Sequence, residues 1–508
     1  MSIAKRLING SLASWFQIII TVLTQVLLVP VYLLSWDVET YGLWLAIQAL
    51  SILFITLDTG HQTYLNFEFL RIGQNNPKKV SLYLWSGVWV GFGVGILQVL
   101  LILIIVFTNL LGLLLNEAQG LSSSLIQSAG LVLIIQSVSN CLCLSGGGVI
   151  NRVLGTFGYY PRTAWWTAGA MAVAAIAPAI AVAYGANLLE AAIVRTVVCG
   201  IYYALQYIDF FYLLHKNKIR ISKGSLRLGW KNFLKSIHIS AKSILENARN
   251  VGVRVILAPL TGAVNLVAFS TLRTGANFAM QGLNTITNPL MPELMHFLNK
   301  RDQERSETAL GTIWIIIVAI MSPGVVALQT FIEPLFNLWT RGKVVFNPML
   351  FAVLSLSVLV FAIAQPAIAI VTGNNLLRVQ LKISAIAALI VLVGMIVLVP
   401  RIGLLGAGLV LLAAEIVTCV SYISAAKAWL HNNQLIWPRQ ASYIANRSVF
   451  IAAVGMGLII MLKHDKYILL AVILFMLLLN LYDYWRTMPF FARFRTKQMF
   501  RSLSVFRK

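Results

Sequence analysis

The side chains in this sequence that are most capable of chemistry are cationic groups in the middle of an otherwise apolar chain. The segment from Lys231 to Leu257 has the length of a membrane-crossing helix, and its ionisable residues include Lys235, Lys242, Glu246, Arg249 and Arg254. At about 100° per residue, the first four cluster on one helix face and the last widens that face. The segment therefore predicts a helix that crosses a bilayer but turns half of its surface away from lipid.

The next segment repeats this pattern with fewer charges. Its polar residues recur at helical spacing and are Arg273, Asn277, Gln281, Asn284 and Asn288. An ionisable group at membrane depth costs about 2.5–3.5 kcal/mol on insertion, so such groups normally face a wet cavity or a bundle interior. Glu246 can neutralise one cation, because it lies four residues from Lys242 and three from Arg249. These residues form either a structural ion-pair cluster or a site whose surplus positive charge binds an anion.

Three further ionisable residues lie inside apolar segments. Asp58 is either a capped or paired acid near the cytoplasmic end of its helix or a functional group. In the second case it binds a proton or a cation, or it pairs with an arginine of the cavity. Arg195 shares a helix face with Asp209, which predicts that it lines a cavity. Glu415 is either a protonatable coupling group or a buried acid kept neutral by desolvation.

The composition identifies the elements that must position these groups. The chain has 508 residues, of which 59% are hydrophobic and 11% charged, and its mean hydropathy is +0.83. These values exclude a soluble fold and predict an all-α, polytopic membrane protein. Apolar runs of about 20 residues predict fourteen helices, at 9–34, 41–66, 81–109, 122–146, 163–184, 187–213, 231–257, 264–297, 307–331, 348–372, 376–399, 404–429, 446–462 and 466–485.

Basic residues concentrate in alternate loops, which sets the orientation of the chain. Arg71, Lys78 and Lys79 follow the second helix and Arg152 and Arg162 follow the fourth, whereas Asp37 and Glu39 occupy the loop before the second helix. Both termini are therefore expected in the cytoplasm. The net charge of +23 reflects these cytoplasmic loops and not a nucleic-acid partner. The basic tail is either solvated or bound to anionic lipids at the cytoplasmic face.

The first two helices resemble the seventh and eighth in layout, which predicts an internal repeat. In each copy a polar-striped helix ends near a proline, Pro30 or Pro259, before a short outer loop. Both copies begin on the same side, so the halves are expected to be related by a pseudo-twofold axis along the membrane normal. The predicted parts are an N-terminal six-helix bundle (1–213), a basic cytoplasmic linker (214–230), a C-terminal six-helix bundle (231–429), an additional helix pair (430–485) and a basic tail (486–508).

Cysteines and glycines add little further chemistry. Cys141, Cys143, Cys199 and Cys419 all fall inside predicted helices, so they predict neither a disulfide framework nor a metal site, and no cofactor is expected. The glycine run 146–148 lacks the Lys-Ser/Thr of a phosphate loop and predicts a flexible exit from the bilayer.

The chain resembles polysaccharide or O-antigen lipid flippases of the Wzx or RfbX kind, in the multidrug/oligosaccharidyl-lipid/polysaccharide (MOP) exporter superfamily. The likeness covers nearly the whole chain and rests on the six plus six plus two helix plan, the cationic seventh and eighth helices, and the opening NGSLASWFQIIITVLTQVLLVPVYLLSWDVETYGLWLAIQAL. It implies a protein of the bacterial cytoplasmic membrane that carries undecaprenyl-diphosphate-linked oligosaccharide to the outer leaflet for polysaccharide biosynthesis. A polymerase or other envelope-glycan machinery is an implied partner.

This resemblance assigns roles to the polar residues. Guanidinium groups are well-shaped partners for a diphosphate, and the implied substrate-binding residues are Lys242, Arg195, Arg249, Arg254, Arg273, Asn277 and Gln281. Glu246 would balance these cations, while Asp58 or Glu415 would couple transport to a proton or sodium gradient. Lipid II flippases carry an arginine and an aspartate in the first helix, where this chain has neutral Ser14, Gln17, Thr21 and Gln25. That difference argues against a peptidoglycan precursor as cargo.

Two other classes compete with the flippase. A drug or cation antiporter of the same superfamily should show an acidic chamber, and the basic excess counts against it. A membrane-bound glycan ligase or polymerase usually needs a substantial outer loop, and no predicted outer loop exceeds about 20 residues. The sequence therefore favours a transporter over an enzyme.

Overall fold

The computed structural model describes residues 3–116 and 122–488, and the side chains of these residues apart from 3–15, 116, 278–279, 282, 284–289 and 291–293. Over the described residues the protein consists of helices joined by short turns. The helices are α1 (Ile3–Ser35), α2 (Val38–Ile72), α3 (Pro77–Phe107), α4 (Leu110–Asn116), α5 (Ser123–Asn140), α6 (Gly146–Leu154), α7 (Tyr160–Ala183), α8 (Leu188–Lys216), α9 (Leu226–Asn250), α10 (Gly252–Thr261), α11 (Ala263–Asn299), α12 (Gln303–Ile316), α13 (Ser322–Trp339), α14 (Pro348–Gly373), α15 (Leu377–Asn432), α16 (Arg439–Met461) and α17 (Lys466–Thr487). π-Helical turns join α5 to α6, α6 to α7 and α12 to α13. Ser14, Asn284, Asn288 and the tail beyond residue 488 lie outside the described side chains.

These elements confirm the predicted all-α, multi-pass membrane fold. Within the described residues, ten helical segments are long and apolar enough to cross a bilayer. Two of them, Ser123–Ala183 and Leu377–Asn432, each hold two predicted spans, and the second bends at Ile402 and Gly403. Helix α9, continued by α10, and helix α11 bring the number of membrane-length helices in the described ranges to the predicted fourteen.

Several helices begin earlier or end later than the apolar runs that predicted them. The Asn76 side chain accepts a hydrogen bond from the Lys79 backbone and Pro77 takes the first helical position, so α3 begins before residue 81. Asn187 and Glu190 form a reciprocal capping box that starts α8 at Leu188, next to the predicted start, and α8 continues to Lys216, beyond the predicted end at residue 213. Such caps satisfy the backbone N–H groups left open at a helix start. Helices therefore continue into the polar interface, where hydropathy alone gives no signal.

The first compact unit, called unit 1 below, contains Met1–Ser270, Trp339–Val344 and Met395–Gly403. The cationic helix α9 packs along α2 and α3 in this unit. Gly60 permits the close approach, because a Cβ atom there would stand 2.2 Å from the Ser240 hydroxyl oxygen. The helices α9 and α10, which the sequence assigned to the second bundle, thus make their packing contacts with α2.

The second compact unit, unit 2, contains Thr271–Leu338, Val345–Gly394 and Leu404–Lys508. Its last helix is anchored by Tyr484, whose hydroxyl donates to the Gly311 carbonyl oxygen at 2.6 Å. Arg447 of α16 pairs with Asp483 of α17, which fixes these two helices together. The division into two six-helix bundles with a linker at 214–230 stays a prediction.

Candidate functional site

The short helix α6 has an apolar face, which is buried in the core, and a polar face, which lines a cavity. One face is apolar and is buried in a core with α2, α3 and α8; its residues are Val149, Ile150, Val153 and Leu154. These side chains pack closely against their neighbours, and van der Waals contacts of this kind hold membrane helices together, so this face fixes the rotation of α6. The opposite face carries Gly148, Asn151 and Arg152, which are close together at helical spacing.

A cavity of about 540 Å³ lies against the polar face of α6. We call it the chamber; its walls come from α1, α2, α6, α7 and α8, all in unit 1. Its polar lining consists of Gln17, Thr59, Gln62, Asn66, Asn151, Arg152, Tyr160, Thr163, Thr167, Tyr203, Gln206 and Tyr207. Among these described lining residues, Arg152 is the single charged group and there is no carboxylate. The volume falls in the range of small-molecule sites.

The glycine run shapes the chamber wall. A Cβ atom at Gly147 would stand 2.6 Å from the Tyr207 hydroxyl oxygen, and one at Gly148 would stand 2.2 Å from the Gln62 amide oxygen. Both polar side chains therefore depend on the missing Cβ atoms. The prediction of a flexible exit at 146–148 is wrong, because these residues begin the regular helix α6.

Arg152 is the cation of the chamber. Its side chain is half-buried, and it makes no hydrogen bond or ion pair with the side chains that the structure describes. A guanidinium group has five N–H donors and cannot lose its charge. Arg152 therefore presents its N–H donors and a positive charge to the chamber without a carboxylate partner among the described side chains.

A buried carboxylate stands behind the chamber wall. Asp58 is only 3% exposed, and its Oδ2 atom accepts a hydrogen bond from the Gln62 side-chain amide at 2.6 Å. No hydrogen-bond partner of its Oδ1 atom occurs in the described part of the chain. No described cation lies at ion-pair distance from Asp58, so the cavity-arginine partner considered for it is absent there. Gln62 connects this carboxylate to the chamber, since it lines the chamber itself.

A second cavity, of about 570 Å³, lies near the chamber and has a different character. We call it the aromatic groove; it is lined by Gly158, Tyr159, Pro161, Arg162, Trp165, Trp166 and Tyr202. Arg162 binds Asp209 through two nitrogens, one of them at 2.9 Å. The Trp166 indole N–H donates to the same carboxylate at 2.8 Å. The charge in this groove is therefore compensated, and Asp209 is engaged by Arg162 and not by Arg195.

The predicted arginines Arg195 and Arg254 lie near one tyrosine pair. The rings of Tyr32 and Tyr41 stack with centroids 5.4 Å apart. Arg195 lies within electrostatic range of Tyr32, and Arg254 lies within range of Tyr41. Both guanidinium groups are half-buried in unit 1, and neither has a carboxylate partner among the described residues. Unit 1 thus brings these two predicted site residues to one aromatic cluster.

The remaining predicted residues of unit 1 follow α9. The Lys242 ammonium nitrogen lies 3.6 Å from a Glu246 carboxylate oxygen. Arg249 lies one turn beyond Glu246 and is half-buried. Asn247, on the same helix, donates to the Thr56 hydroxyl at 2.8 Å, which orients this part of α9 against α2.

Four predicted site residues belong to unit 2. Arg273, Asn277 and Gln281 lie one above another on α11, and each is half-buried. Glu415 is half-buried on α15, one turn before Cys419, and lies within electrostatic range of that thiol.

Similarity to known proteins is found when structures are compared and not when sequences are compared. No family model and no curated protein match the sequence. The lipid II flippase MurJ, in an inward closed conformation, matches with a TM-score of 0.67 and 13% identity over 94% of this chain and 99% of that chain. An inward-facing MATE family transporter of the MOP superfamily matches with a TM-score of 0.62 and 12% identity, over 81% of this chain and 95% of that one. A eukaryotic MATE transporter, AtDTX14, matches with a TM-score of 0.55 and 15% identity, over 88% of this chain and 99% of that one.

The chain has the fold of these MurJ and MATE structures. Arg152 is the charged residue of the chamber, and sequence reasoning missed it because it was counted among the cations of a cytoplasmic loop. The signal was present in the pattern of residues 148–154, where two apolar pairs alternate with the polar pair Asn151 and Arg152. That pattern is typical of an amphipathic helix, and here it extends the membrane helix beyond its apolar run.

Proposed function

We propose that this chain is a flippase that moves an undecaprenyl-diphosphate-linked oligosaccharide from the cytoplasmic to the outer leaflet by alternating access, for cell-surface polysaccharide biosynthesis. The observation that carries the proposal is the charge inside unit 1. The chamber offers amides, hydroxyls and one guanidinium, and Arg195 and Arg254 lack carboxylate partners among the described residues. Guanidinium groups pair with phosphate oxygens, and amides and hydroxyls suit the hydroxyl groups of a glycan.

In this proposal each predicted residue has a role. The diphosphate and the first sugars are held by Arg195, Lys242, Arg249, Arg254, Arg273, Asn277 and Gln281. Glu246 pairs with Lys242 between transport cycles, and Asp58 or Glu415 responds to a proton or sodium gradient. The protein acts in the bacterial cytoplasmic membrane with both termini in the cytoplasm. It works beside a polymerase or other envelope-glycan machinery, without a cofactor and without covalent chemistry, while its basic loops contact anionic lipids.

A drug or cation antiporter is the second candidate. The MATE transporters of the same fold favour it, as does the buried Asp58 beside the chamber. A site for a lipophilic cation should, however, present a carboxylate to its ligand. The described chamber lining presents a guanidinium instead, which favours an anionic cargo.

The test is transport by the purified full chain in proteoliposomes. The cargo is a fluorescent undecaprenyl-diphosphate-linked oligosaccharide, and a lipophilic fluorescent cation serves as the rival substrate. We expect transport of the lipid-linked glycan, its loss in Arg195→Gln, Arg249→Gln, Arg254→Gln and Arg273→Gln, and partial transport in the corresponding lysine variants. Arg71→Gln, which alters an 83% exposed side chain, is the matched control and should transport normally.

Transport of the cation alone by the wild-type chain would reject the flippase in favour of the antiporter. Unchanged glycan transport in a neutral variant would remove that arginine from the site and leave the function standing.

A further inference from the structure

Arg152 lines the chamber, but it is not among the residues to which the proposed function gives a role. We infer that Arg152 forms a phosphate-binding subsite at the cytoplasmic end of the chamber, for the phosphoryl groups of an isoprenoid diphosphate. This inference rests on the proposed function, since that function supplies the diphosphate lipid. It adds a residue on α6 that the sequence had assigned to a loop.

The position of Arg152 along the helix sets the depth of this subsite. Arg152 lies two residues before the end of α6, which is about 3 Å along the helix axis. Tyr160, on the same chamber wall, begins α7. In the predicted orientation these helix ends face the cytoplasm, at the level where the headgroup of an inner-leaflet lipid lies.

The neutral polar lining extends away from this end. Thr59 lies thirteen residues before the end of α2, or about 20 Å along the axis. Thr167, another polar residue of the lining, lies seven residues after the start of α7, or about 10 Å along the axis. The chamber therefore has its charge at one end and amides and hydroxyls farther in, which fits a phosphorylated group followed by sugars.

The absence of a described partner for Arg152 distinguishes it from a structural cation. A structural arginine in a helix bundle is normally satisfied by a carboxylate or by carbonyl oxygens, because its donors are costly to leave unpaired. Arg162, on the next helix, has such a partner in Asp209. Arg152 instead faces the chamber, where Asn151 already donates to Thr167 at 3.3 Å. Its fork of N–H donors is open to an oxyanion with two acceptor oxygens.

The binding test uses the full chain in nanodiscs of zwitterionic phosphatidylcholine. Farnesyl diphosphate is the probe, and farnesol is its uncharged counterpart. We expect Arg152→Gln to weaken the binding of farnesyl diphosphate roughly tenfold or more, with Arg152→Lys in between and farnesol binding unchanged. Arg71→Gln removes the same charge from the exposed cytoplasmic end of α2 and should bind as the wild type does.

Competitors identify the source of the anion. Weak competition by inorganic pyrophosphate and none by glucuronate is the expected result. Pyrophosphate that competes as well as farnesyl diphosphate would assign the site to free phosphate and overturn the lipid assignment. Equal competition by glucuronate would assign it to an acidic sugar, and equal farnesyl diphosphate binding by wild type and Arg152→Gln would overturn the subsite altogether.

The same variants in the proteoliposome assay separate this inference from the proposed function. Wild-type glycan transport that is unaffected by Arg152→Gln would reject the subsite and keep the flippase. Diphosphate binding that depends on Arg152, in a chain that transports no lipid-linked glycan, would reject the flippase and keep the phosphate site.

Discussion

Arg152 and Arg162 lie on consecutive helical segments of unit 1, yet their surroundings are opposite. Arg162 lines the aromatic groove and is held by Asp209, whose side chain is 12% exposed. Arg152 lines a chamber of amides and hydroxyls and has no ion-pair partner among the described side chains. The role of each cation therefore depends on the side chains that the fold places around it. The first arginine is expected to stabilise the structure and the second to serve a ligand.

The largest effect should come from breaking the Arg162–Asp209 pair. Arg162→Gln would leave a mostly buried carboxylate whose remaining donor among the described residues is the Trp166 N–H. Because half of the Arg162 side chain is exposed, we expect a loss of about 2 kcal/mol in the free energy of unfolding, below the range for fully buried pairs. Thermal unfolding of the detergent-purified protein would measure it.

The double variant Arg162→Gln/Asp209→Asn supplies the control for this prediction. It removes the uncompensated charge and should recover part of the lost stability. A single variant as stable as the wild type would show that the two arginines do not differ in the way proposed.

A smaller effect is expected from closing the chamber beside Arg152. In Gly148→Val the new side chain would occupy the space of the Gln62 amide and push that amide away from Asp58. We expect glycan transport to fall about tenfold, while stability falls by about 1 kcal/mol, the value of one hydrogen bond.

Gly200→Val is the matched control, because a Cβ atom at Gly200 meets no atom within 4 Å. It carries the same helix-propensity change and should keep normal transport. Equal losses in both variants would mean that backbone effects, and not chamber space, explain the result.

The smallest effect should be that of Arg152→Gln on stability. With no partner to lose among the described side chains, the variant should change the free energy of unfolding by less than about 0.5 kcal/mol. Thermal unfolding beside Arg162→Gln tests the contrast directly. A loss as large as that of Arg162→Gln would show that Arg152 is a structural residue.

Site residues could be predicted from the sequence where the signal was spacing along one helix, and could not where it was contact between helices. The stripe on α9 was visible because Lys242 and Glu246 interrupt an apolar helix at helical spacing, and the structure has them 3.6 Å apart. Arg195 was expected to share its surroundings with Asp209, but Asp209 pairs with Arg162 from another helix. Periodicity identifies which residues share one helix face, and it carries no information about which neighbouring helix supplies their partners.

The glycine run shows the same limit. Three consecutive glycines indicate flexibility in water, where glycine loses much conformational entropy on folding. In a packed helix bundle they serve the opposite purpose, since small residues let neighbouring groups approach closely. Only the positions of Tyr207 and Gln62 reveal that purpose.

Hydrophobic length and helical periodicity are local properties of the chain, so the amino-acid sequence was enough to predict an all-α membrane fold with fourteen helices and a cationic face on the seventh of them. The folded structure was needed to show that α9 packs on α2, that Asp58 accepts a hydrogen bond from Gln62, and that Arg152 lines a chamber while Arg162 pairs with a carboxylate. These outcomes depend on contacts between residues far apart in sequence, which are fixed by close packing and by the cost of leaving buried polar groups without partners.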